Sequence, residues 1–163
     1  MATLHALHGL PGSGKTTLAV RMATERPAVR FTPDEWMVAL YGVNPSIEVF
    51  REQHPKIMAL IWEHTTRVLG CDTDVILDVG FWSRGSRDEV RARAKSIGVP
   101  VTFYACSCAP GVARGRVLNR VVAADGRSLV INEAAFDLFL AQFEPMGPDE
   151  PHLVVPDVSA TGT

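Results

Sequence analysis

The chain of 163 residues is long enough for one domain with a single core and too short for two domains of ordinary size. Hydrophobic residues make up 47% and charged residues 21%, a balance that excludes a disordered or low-complexity chain. The net charge of −2 argues against a surface built mainly to bind nucleic acid.

Short apolar runs alternate with helical patterns along the chain. The predicted strands cover residues 3–8, 29–31, 75–79, 99–105 and 153–155, and the predicted helices cover residues 15–25, 34–40, 46–69, 86–97, 110–122 and 132–143. Pro55 predicts a break or a kink in the long third helix, and Asn132 predicts the capped start of the last one. Strands that alternate with helices predict an α/β fold in three layers, with a parallel five-stranded sheet between helices.

Neither an internal repeat nor a linker is visible, so we expect a single domain over residues 1–156 and a loose C-terminal tail over residues 157–163. The N-terminus lacks the basic segment and long apolar core of a signal peptide. Apolar runs also stay well short of the roughly 18 residues that a membrane span needs. We therefore expect a cytoplasmic protein with no membrane partner.

A glycine-rich segment, GLPGSGKT at residues 9–16, lies between the first predicted strand and the first predicted helix. It satisfies the P-loop pattern GxxxxGK[ST], in which glycines let successive N–H groups point at phosphate oxygens. A dinucleotide-binding turn is excluded because the order GxGxxG is absent and such a turn has no use for Lys15. We therefore predict an ATP site formed by Gly9, Pro11, Gly12, Ser13, Gly14, Lys15, Thr16 and Thr17.

Two groups are predicted to hold Mg²⁺ beside the phosphates. The hydroxyl of Thr16 can ligate a magnesium ion that bridges the terminal phosphates of ATP. Asp78 ends the apolar strand VILD and is expected at the carboxyl edge of the sheet, next to the first strand. The alternative role for Asp78 is to cap the turn that follows the strand.

Asp34 follows the second predicted strand and begins a helix, which gives it two interpretations. A carboxylate there can stabilise the first helical turn, with Thr32 or Asp34 as the N-cap. The same position faces the phosphate crevice, where a carboxylate could accept the proton of an attacking hydroxyl. The residues alone leave both roles open.

The motifs together resemble a known family. GLPGSGKTT is followed by TPDEW, by VILDVGFWSRGSRDEVRARA, by RGRVLNR and by FDLFLAQFEP with DE shortly after. This set, over about residues 4–150, resembles the small AAA-type P-loop kinases, which are relatives of phage-type polynucleotide kinase, chloramphenicol phosphotransferase and the zeta toxins. The resemblance implies a P-loop NTPase domain with strand order 2-3-1-4-5. It matches Asp34 to the general base, and Arg116 and Arg120 to the arginines of a lid that closes over ATP.

The sequence supports a lid over about residues 111–131 independently of the resemblance. Arg116 and Arg120 are four residues apart, so they share one helix face, and they precede the flexible stretch at residues 123–126. The fixed fork of arginine suits phosphate oxygens, and phosphoryl transfer gathers negative charge on them. The alternative is that both arginines form surface ion pairs.

Three residues that follow Asp78 are candidate acceptor contacts. Trp82, Arg84 and Arg87 are expected at the carboxyl edge of the sheet, where an acceptor would bind. The alternative makes Trp82 a cover for the core and the two arginines ordinary surface charges.

We expect an ATP- and Mg²⁺-dependent kinase that transfers the γ-phosphoryl group to a hydroxyl of a small molecule. One alternative is a 5′-hydroxyl polynucleotide kinase; against it, Met37 stands where the nucleic-acid enzymes have a basic residue, and no continuous basic groove is visible. A second alternative is an ATP-binding switch or toxin-type regulator. The sequence determines neither the acceptor nor the oligomeric state.

Overall fold

The computed structural model describes residues 1–120 and 128–157. The strands are β1 (Leu4–His8), β2 (Ala28–Phe31), β3 (Asp74–Leu77), β4 (Val101–Cys106) and β5 (Leu153–Val155). The helices are α1 (Lys15–Glu25), α2 (Pro33–Tyr41), α3 (Ile47–Gly70), α4 (Arg84–Ser96), α5 (Pro110–Leu118) and α6 (Glu133–Ala141). Among the described residues, no helix is long and apolar enough to cross a membrane.

The sheet has five parallel strands in the order β2-β3-β1-β4-β5, which confirms the predicted fold class and strand order. Strand β1 is central, and its Leu4 pairs with Val75 of β3 on one side and Val101 of β4 on the other. All five residues of β1 are buried, because neighbouring strands cover both edges and helices cover both faces. The segments that follow β1 and β3 therefore meet at one edge of the sheet.

Helices cover the two faces of the sheet unequally. Helices α2, α3 and α4 pack on one face, where Met37, Ile61 and Val90 belong to a core cluster with Leu77. Helix α1 covers the opposite face through Leu18, Ala19 and Met22. Helices α5 and α6 form a third cluster with Leu10 of the P-loop. The cluster at Leu10 brings α5, the helix that carries Arg116, against the P-loop.

The predicted break at Pro55 does not end the helix, because residues 47–70 form one continuous helix with Pro55 inside it. Proline removes one backbone donor but leaves the other helical bonds available. On both sides of it α3 keeps stabilising features: the Ser46 hydroxyl accepts from Val49 N, and Ile57 and Ile61 are 3% and 0% exposed against the sheet. Tertiary packing therefore overrides the local penalty.

Helix α5 ends at Leu118, four residues before the predicted end at residue 122. The flexible stretch predicted at residues 123–126 lies outside the described residues, as does most of the predicted tail, from residue 158 onward. Helix α6 begins as predicted, since the Asn132 side chain accepts a hydrogen bond of 2.9 Å from Ala135 N.

Candidate active site

The P-loop joins β1 to α1 through a backbone that only glycine tolerates at two positions. Gly12 has φ +81° and Gly14, at the N-cap of α1, has φ +93°, both in the left-handed region. A Cβ on Gly12 would also lie 2.4 Å from the carbonyl oxygen of Ala113 in α5. The loop therefore rests directly on α5, and the start of α1 places the positive end of a helix dipole at the loop.

Lys15 lies in the loop with its ammonium turned toward the loop carbonyls. Its Nζ donates to Gly9 O and Leu10 O, each at 2.8 Å. Burial lowers the pKa of Lys15, and the nearby Asp78 carboxylate opposes that shift. The buried Ser13 hydroxyl has no hydrogen-bond partner in the part of the chain that the structure describes. These features form a cradle with a cation and a spare hydroxyl, which suits an anion.

The predicted P-loop residues divide into those that line the cleft and those beneath it. Pro11, Gly12, Gly14, Lys15, Thr16 and Thr17 line a cleft of about 1300 Å³, whereas Gly9 and Ser13 lie below its surface. Gly9 contributes from below, because its carbonyl oxygen accepts from Lys15 and, at 3.0 Å, from the indole Nε1 of Trp82.

Asp78 lies where the sequence predicts it, just past β3 and in the lining of the same cleft. Its side chain is 3% exposed and accepts a hydrogen bond of 2.9 Å from Nη1 of Arg30. The other end of that guanidinium pairs with Glu35, beside Asp34. Sequence analysis did not assign a role to Arg30. The only sign of such a role in the sequence is a charged residue between Val29 and Phe31 in a short strand. Arg30 ties the end of β3 to the start of α2.

Asp34 lies in the first turn of α2 and lines the cleft. Desolvation among the cleft walls, followed by the like charge of Asp78, raises the pKa of Asp34 to about 6. The carboxylate is nevertheless reachable from the open cleft, and the water there limits the effect. Thr32 stands at the N-cap of α2 without a side-chain cap bond. Asp34 is therefore a solvent-reachable carboxylate with the raised pKa of a proton acceptor.

The oxygen atoms of Thr16 and Asp78 fit a magnesium ion. Magnesium takes hydroxyl and carboxylate oxygens, usually one or two from protein, with phosphate and water completing the octahedron. Asp78 accepts one bond from Arg30 and keeps lone pairs for a ligand or its water shell. No cluster of three or more acidic, histidine or cysteine side chains that could hold a metal alone occurs within residues 1–120 and 128–157.

The two predicted lid arginines both line the cleft. Arg116 donates 3.2 Å to the carbonyl oxygen of Gly12 and pairs with the carboxylate of Asp157 at 2.9 Å. Arg120 follows α5, and its charge acts on both Lys15 and Asp34, whose pKa values it lowers. The structure thus gathers the P-loop, Asp34, Asp78 and both arginines around one cleft.

Arg84 and Arg87, predicted as acceptor contacts, are not among the residues that line this cleft. Arg87 is 1% exposed, and its Nε and Nη2 donate to Glu150 at 2.8 and 2.7 Å. Its Nη1 donates to backbone carbonyls, including that of Trp82 at 3.1 Å. Arg84 pairs with Asp149 on the surface. Both guanidinium groups anchor the segment after α6, and the buried Arg87 is fully engaged there.

Trp82 does line the cleft, and it also supports the P-loop. Its ring centroid lies 4.5 Å from that of Phe139 in α6. A Cβ on Gly80 would lie 2.1 Å from Trp82 Nε1, so glycine at residue 80 makes room for the indole. Trp82 therefore links the loop after β3, the P-loop and α6.

A wall of the cleft that sequence analysis did not assign is formed by one face of α3. We call Phe50, His54, Met58 and Trp62 the α3 wall. The helical spacing of Phe50 and His54 is visible in the sequence, but which side faces the cleft depends on how α3 packs on the sheet.

A family model described as an AAA domain matches residues 4–146, which is most of the chain. The chain belongs to this AAA domain family. The match confirms the family that the sequence motifs indicate, and it spans the P-loop, Arg116 and Arg120. No curated protein matches the chain.

Solved structures share the fold of this AAA domain. A candidate kinase from Chloroflexus aurantiacus J-10-fl is 18% identical with a TM-score of 0.76, covering 99% of this chain and 92% of that one. A sugar kinase from Janibacter sp. HTCC2649 is 21% identical with a TM-score of 0.65, covering 96% and 86%. A chain in the structure of the Pnkp1/Rnl/Hen1 RNA repair complex is 22% identical with a TM-score of 0.69, covering 86% and 43%. At these identities the likeness shows a P-loop NTPase fold.

Proposed function

We propose that this protein is an ATP-dependent kinase that transfers the γ-phosphoryl group of ATP to a hydroxyl of a small molecule. The observation that carries the proposal is the position of Asp34, a reachable carboxylate with a pKa of about 6 in the cleft that also holds Lys15 of the P-loop. A kinase needs a base for the hydroxyl of its second substrate, and a carboxylate that is reachable from the cleft can act as that base.

The residues divide the work of transfer. Lys15 and the P-loop amides bind the phosphates, and Thr16 and Asp78 would hold Mg²⁺, which supplies positive charge to the phosphate oxygens. Asp34 accepts the proton of the acceptor hydroxyl. The hydroxyl oxygen attacks the γ-phosphorus, and the bond between the γ-phosphorus and the bridging oxygen of ADP breaks. Arg120 and Arg116 would stabilise charge on the transferred oxygens, for which Arg116 would exchange its ion pair with Asp157.

A small acceptor is favoured over a 5′-hydroxyl polynucleotide. The likeness to a chain of an RNA repair complex keeps the polynucleotide alternative in view, and the likeness to a sugar kinase favours a small molecule. Met37, where the nucleic-acid enzymes have a basic residue, is 0% exposed and packs in the core, so it offers no phosphate contact. A strand of nucleic acid also needs a basic groove, whereas the net charge of the chain is −2 and Arg93 of this cleft is paired with Glu89.

ATP consumption measured across a library of hydroxyl metabolites tests this function. The library includes sugars, nucleosides, antibiotics and short 5′-hydroxyl oligonucleotides. We expect a small hydroxyl compound to stimulate turnover and to appear as its phosphomonoester. A rate of ATP hydrolysis that no added hydroxyl compound changes would instead support the ATP-binding switch.

Removal of the Lys15 ammonium is expected to weaken nucleotide binding without unfolding the chain. For Lys15→Ala we expect the Kd of Mg-ATP to rise by about tenfold to a hundredfold, since charged hydrogen bonds contribute about 1.5–3 kcal/mol. Calorimetric titration with a non-hydrolysable ATP analogue measures it. Lys56→Ala is the matched control, because Lys56 is exposed on α3 and pairs with Glu52. Equal affinity in both variants would contradict the P-loop assignment.

The lid arginines are expected to act on the transition state more than on nucleotide binding. Arg116→Ala and Arg120→Ala should each lower kcat by about tenfold or more while the Kd of Mg-ATP changes less. Steady-state kinetics beside calorimetry separates the two effects. Arg114→Ala on the same helix is the control, because Arg114 pairs with Asp137 and is not part of the cleft lining. Wild-type kcat in both test variants would remove the arginines from the mechanism.

A further inference from the structure

The cleft continues past Asp34 along the α3 wall. The four residues of this wall recur every fourth position, so they share one face of the helix. The sheet is covered by different positions of α3, of which Ile57 and Ile61 are 3% and 0% exposed. The α3 wall is thus a second apolar face of the same helix, half-buried and open to the cleft.

Rings dominate this wall. The centroids of Phe50 and His54 lie 4.9 Å apart with 27° between the planes, a stacked pair. Burial lowers the pKa of His54, so its imidazole is neutral near pH 7 and stacks as an uncharged ring. Trp62 adds an indole two turns beyond His54 on the same face.

Helix α4, on the opposite side of the cleft, contributes an ion pair between Arg93 and Glu89. Arg93 of α4 donates to Glu89 at 2.7 Å, and its guanidinium carbon lies 4.9 Å from the centroid of the Trp62 ring. The guanidinium therefore covers one end of the α3 wall as a further flat surface. Because Arg93 is paired with Glu89, we do not assign it a role in phosphate binding.

A backbone hydrogen bond joins two segments that line the same cleft. Val130 N donates to Val43 O at 2.8 Å, which joins the segment before α6 to the loop between α2 and α3. Leu129 and Ile131 of the first segment belong to the lining, together with the polar Asn44 and Arg51. The cleft therefore offers aliphatic side chains in addition to the rings of the α3 wall.

The α3 wall favours ligands with aromatic rings over ligands with many hydroxyl groups. A sugar needs a hydrogen-bond partner for each hydroxyl that it buries, and the α3 wall offers only the imidazole of His54 and the indole N–H of Trp62. Flat rings, in contrast, gain from stacking on other rings. We infer that the acceptor carries an aromatic ring close to the hydroxyl that it presents to Asp34, and that this ring packs against the α3 wall. The inference rests on the proposed kinase function for the hydroxyl and on the α3 wall for the ring.

Compounds matched in their hydroxyl and differing in their ring test the inference. The probes are 2-phenylethanol and 2-naphthylethanol, compared with 2-cyclohexylethanol, glycerol, glucose and a 5′-hydroxyl oligonucleotide. Binding is measured by ligand-observed NMR in the presence of Mg²⁺ and a non-hydrolysable ATP analogue, and turnover is measured separately with ATP. We expect the aromatic alcohols to bind more tightly than the cyclohexyl compound and far more tightly than the polyols.

Two variants replace a ring with a smaller apolar side chain. Phe50→Leu and Trp62→Leu are each expected to raise the Kd of 2-naphthylethanol by about fivefold, since an aromatic pair contributes about 0.5–1.5 kcal/mol. Tyr41→Leu is the matched control, because Tyr41 is an exposed ring on α2 outside the cleft lining. The affinity for Mg-ATP should stay unchanged in all three, which shows that the fold and the P-loop are intact.

The outcomes separate this inference from the proposed function. Ring-dependent binding that Phe50→Leu weakens supports the inference, whether or not the bound alcohol is phosphorylated. If polyols or the oligonucleotide stimulate ATP turnover and aromatic alcohols do not, the kinase function stands and the inference is overturned. Aromatic alcohols that bind no better than 2-cyclohexylethanol, or equally to wild type and Phe50→Leu, also overturn it.

Discussion

Replacement of Asp34 by asparagine is expected to lower phosphoryl transfer by about a hundredfold or more, because an amide cannot accept the proton of the acceptor hydroxyl. The affinity for Mg-ATP should remain nearly constant, since the P-loop and Asp78 are untouched. Glu48→Gln is the matched control: Glu48 is likewise an acidic residue in the first turn of a helix, but it lies outside the cleft lining. Until an acceptor is known, slow hydrolysis of ATP by water can replace transfer in the assay.

The raised pKa of Asp34 adds two pH dependences. Activity needs the ionised carboxylate, so kcat/KM should fall as the pH drops below about 6. The free energy of unfolding has the opposite pH dependence. The folded state holds the Asp34 proton more tightly than the unfolded chain, so the free energy of unfolding decreases as the pH rises from about 3.8 to about 6. Asp34→Asn should therefore melt above wild type at pH 8, with a difference that vanishes near pH 4. A wild-type rate in this variant would eliminate Asp34 as the base.

Loss of Arg87 is expected to destabilise the fold strongly. Arg87 and Glu150 are each 1% exposed and joined by hydrogen bonds of 2.7 and 2.8 Å. Arg87→Ala removes both of these bonds and leaves the buried carboxylate with Arg91 and the Gly147 N–H as its closest partners. Removal of one member of a buried pair costs about 3–5 kcal/mol. At roughly 2–4 °C per kcal/mol for a chain of this size, the melting temperature should fall by on the order of 10 °C.

The control and the pH dependence follow from the same pair. Arg84→Ala should change the melting temperature little, because Arg84 makes exposed ion pairs on the same helix. The double variant Arg87→Met/Glu150→Leu should recover much of the lost stability, since the buried carboxylate is removed together with its partner and Arg91 keeps its pair with Asp88. Hydrogen bonds from Arg87 hold the pKa of Glu150 well below its usual range, so the stability that Glu150 contributes should be lost as the pH falls below about 4.5. Arg87→Ala with wild-type stability would show that the pair has no structural role.

Local pattern predicted most of the scaffold. The P-loop and the strands are visible because their signals span a few adjacent residues, as in the run from Val75 to Asp78. Such patterns place both Asp34 and Asp78 at a strand end, and the structure puts both in the cleft. The order of the strands came from family resemblance, since periodicity alone does not rank neighbours.

What the sequence could not provide depends on partners distant in the chain. The pair between Arg87 and Glu150 could not be predicted, because the two residues are 63 positions apart and no local pattern in the sequence indicates the pair. Arg30 was missed for the same reason, since Asp78 is 48 residues away. Pro55 does not break α3, because one lost hydrogen bond is a local cost, whereas the packing of α3 on the sheet is a sum over the whole helix.

The close contact between Gly12 and the Ala113 carbonyl restricts how α5 can move relative to the P-loop. There is no room for even one methyl group between the two backbones, so we expect α5 to rotate about this contact point. Arg116 lies within the helix, three residues from that point, whereas Arg120 lies past the helix end at Leu118. A tilt of α5 about this contact would therefore displace the end of the helix next to Arg120 more than Arg116, which already contacts the loop.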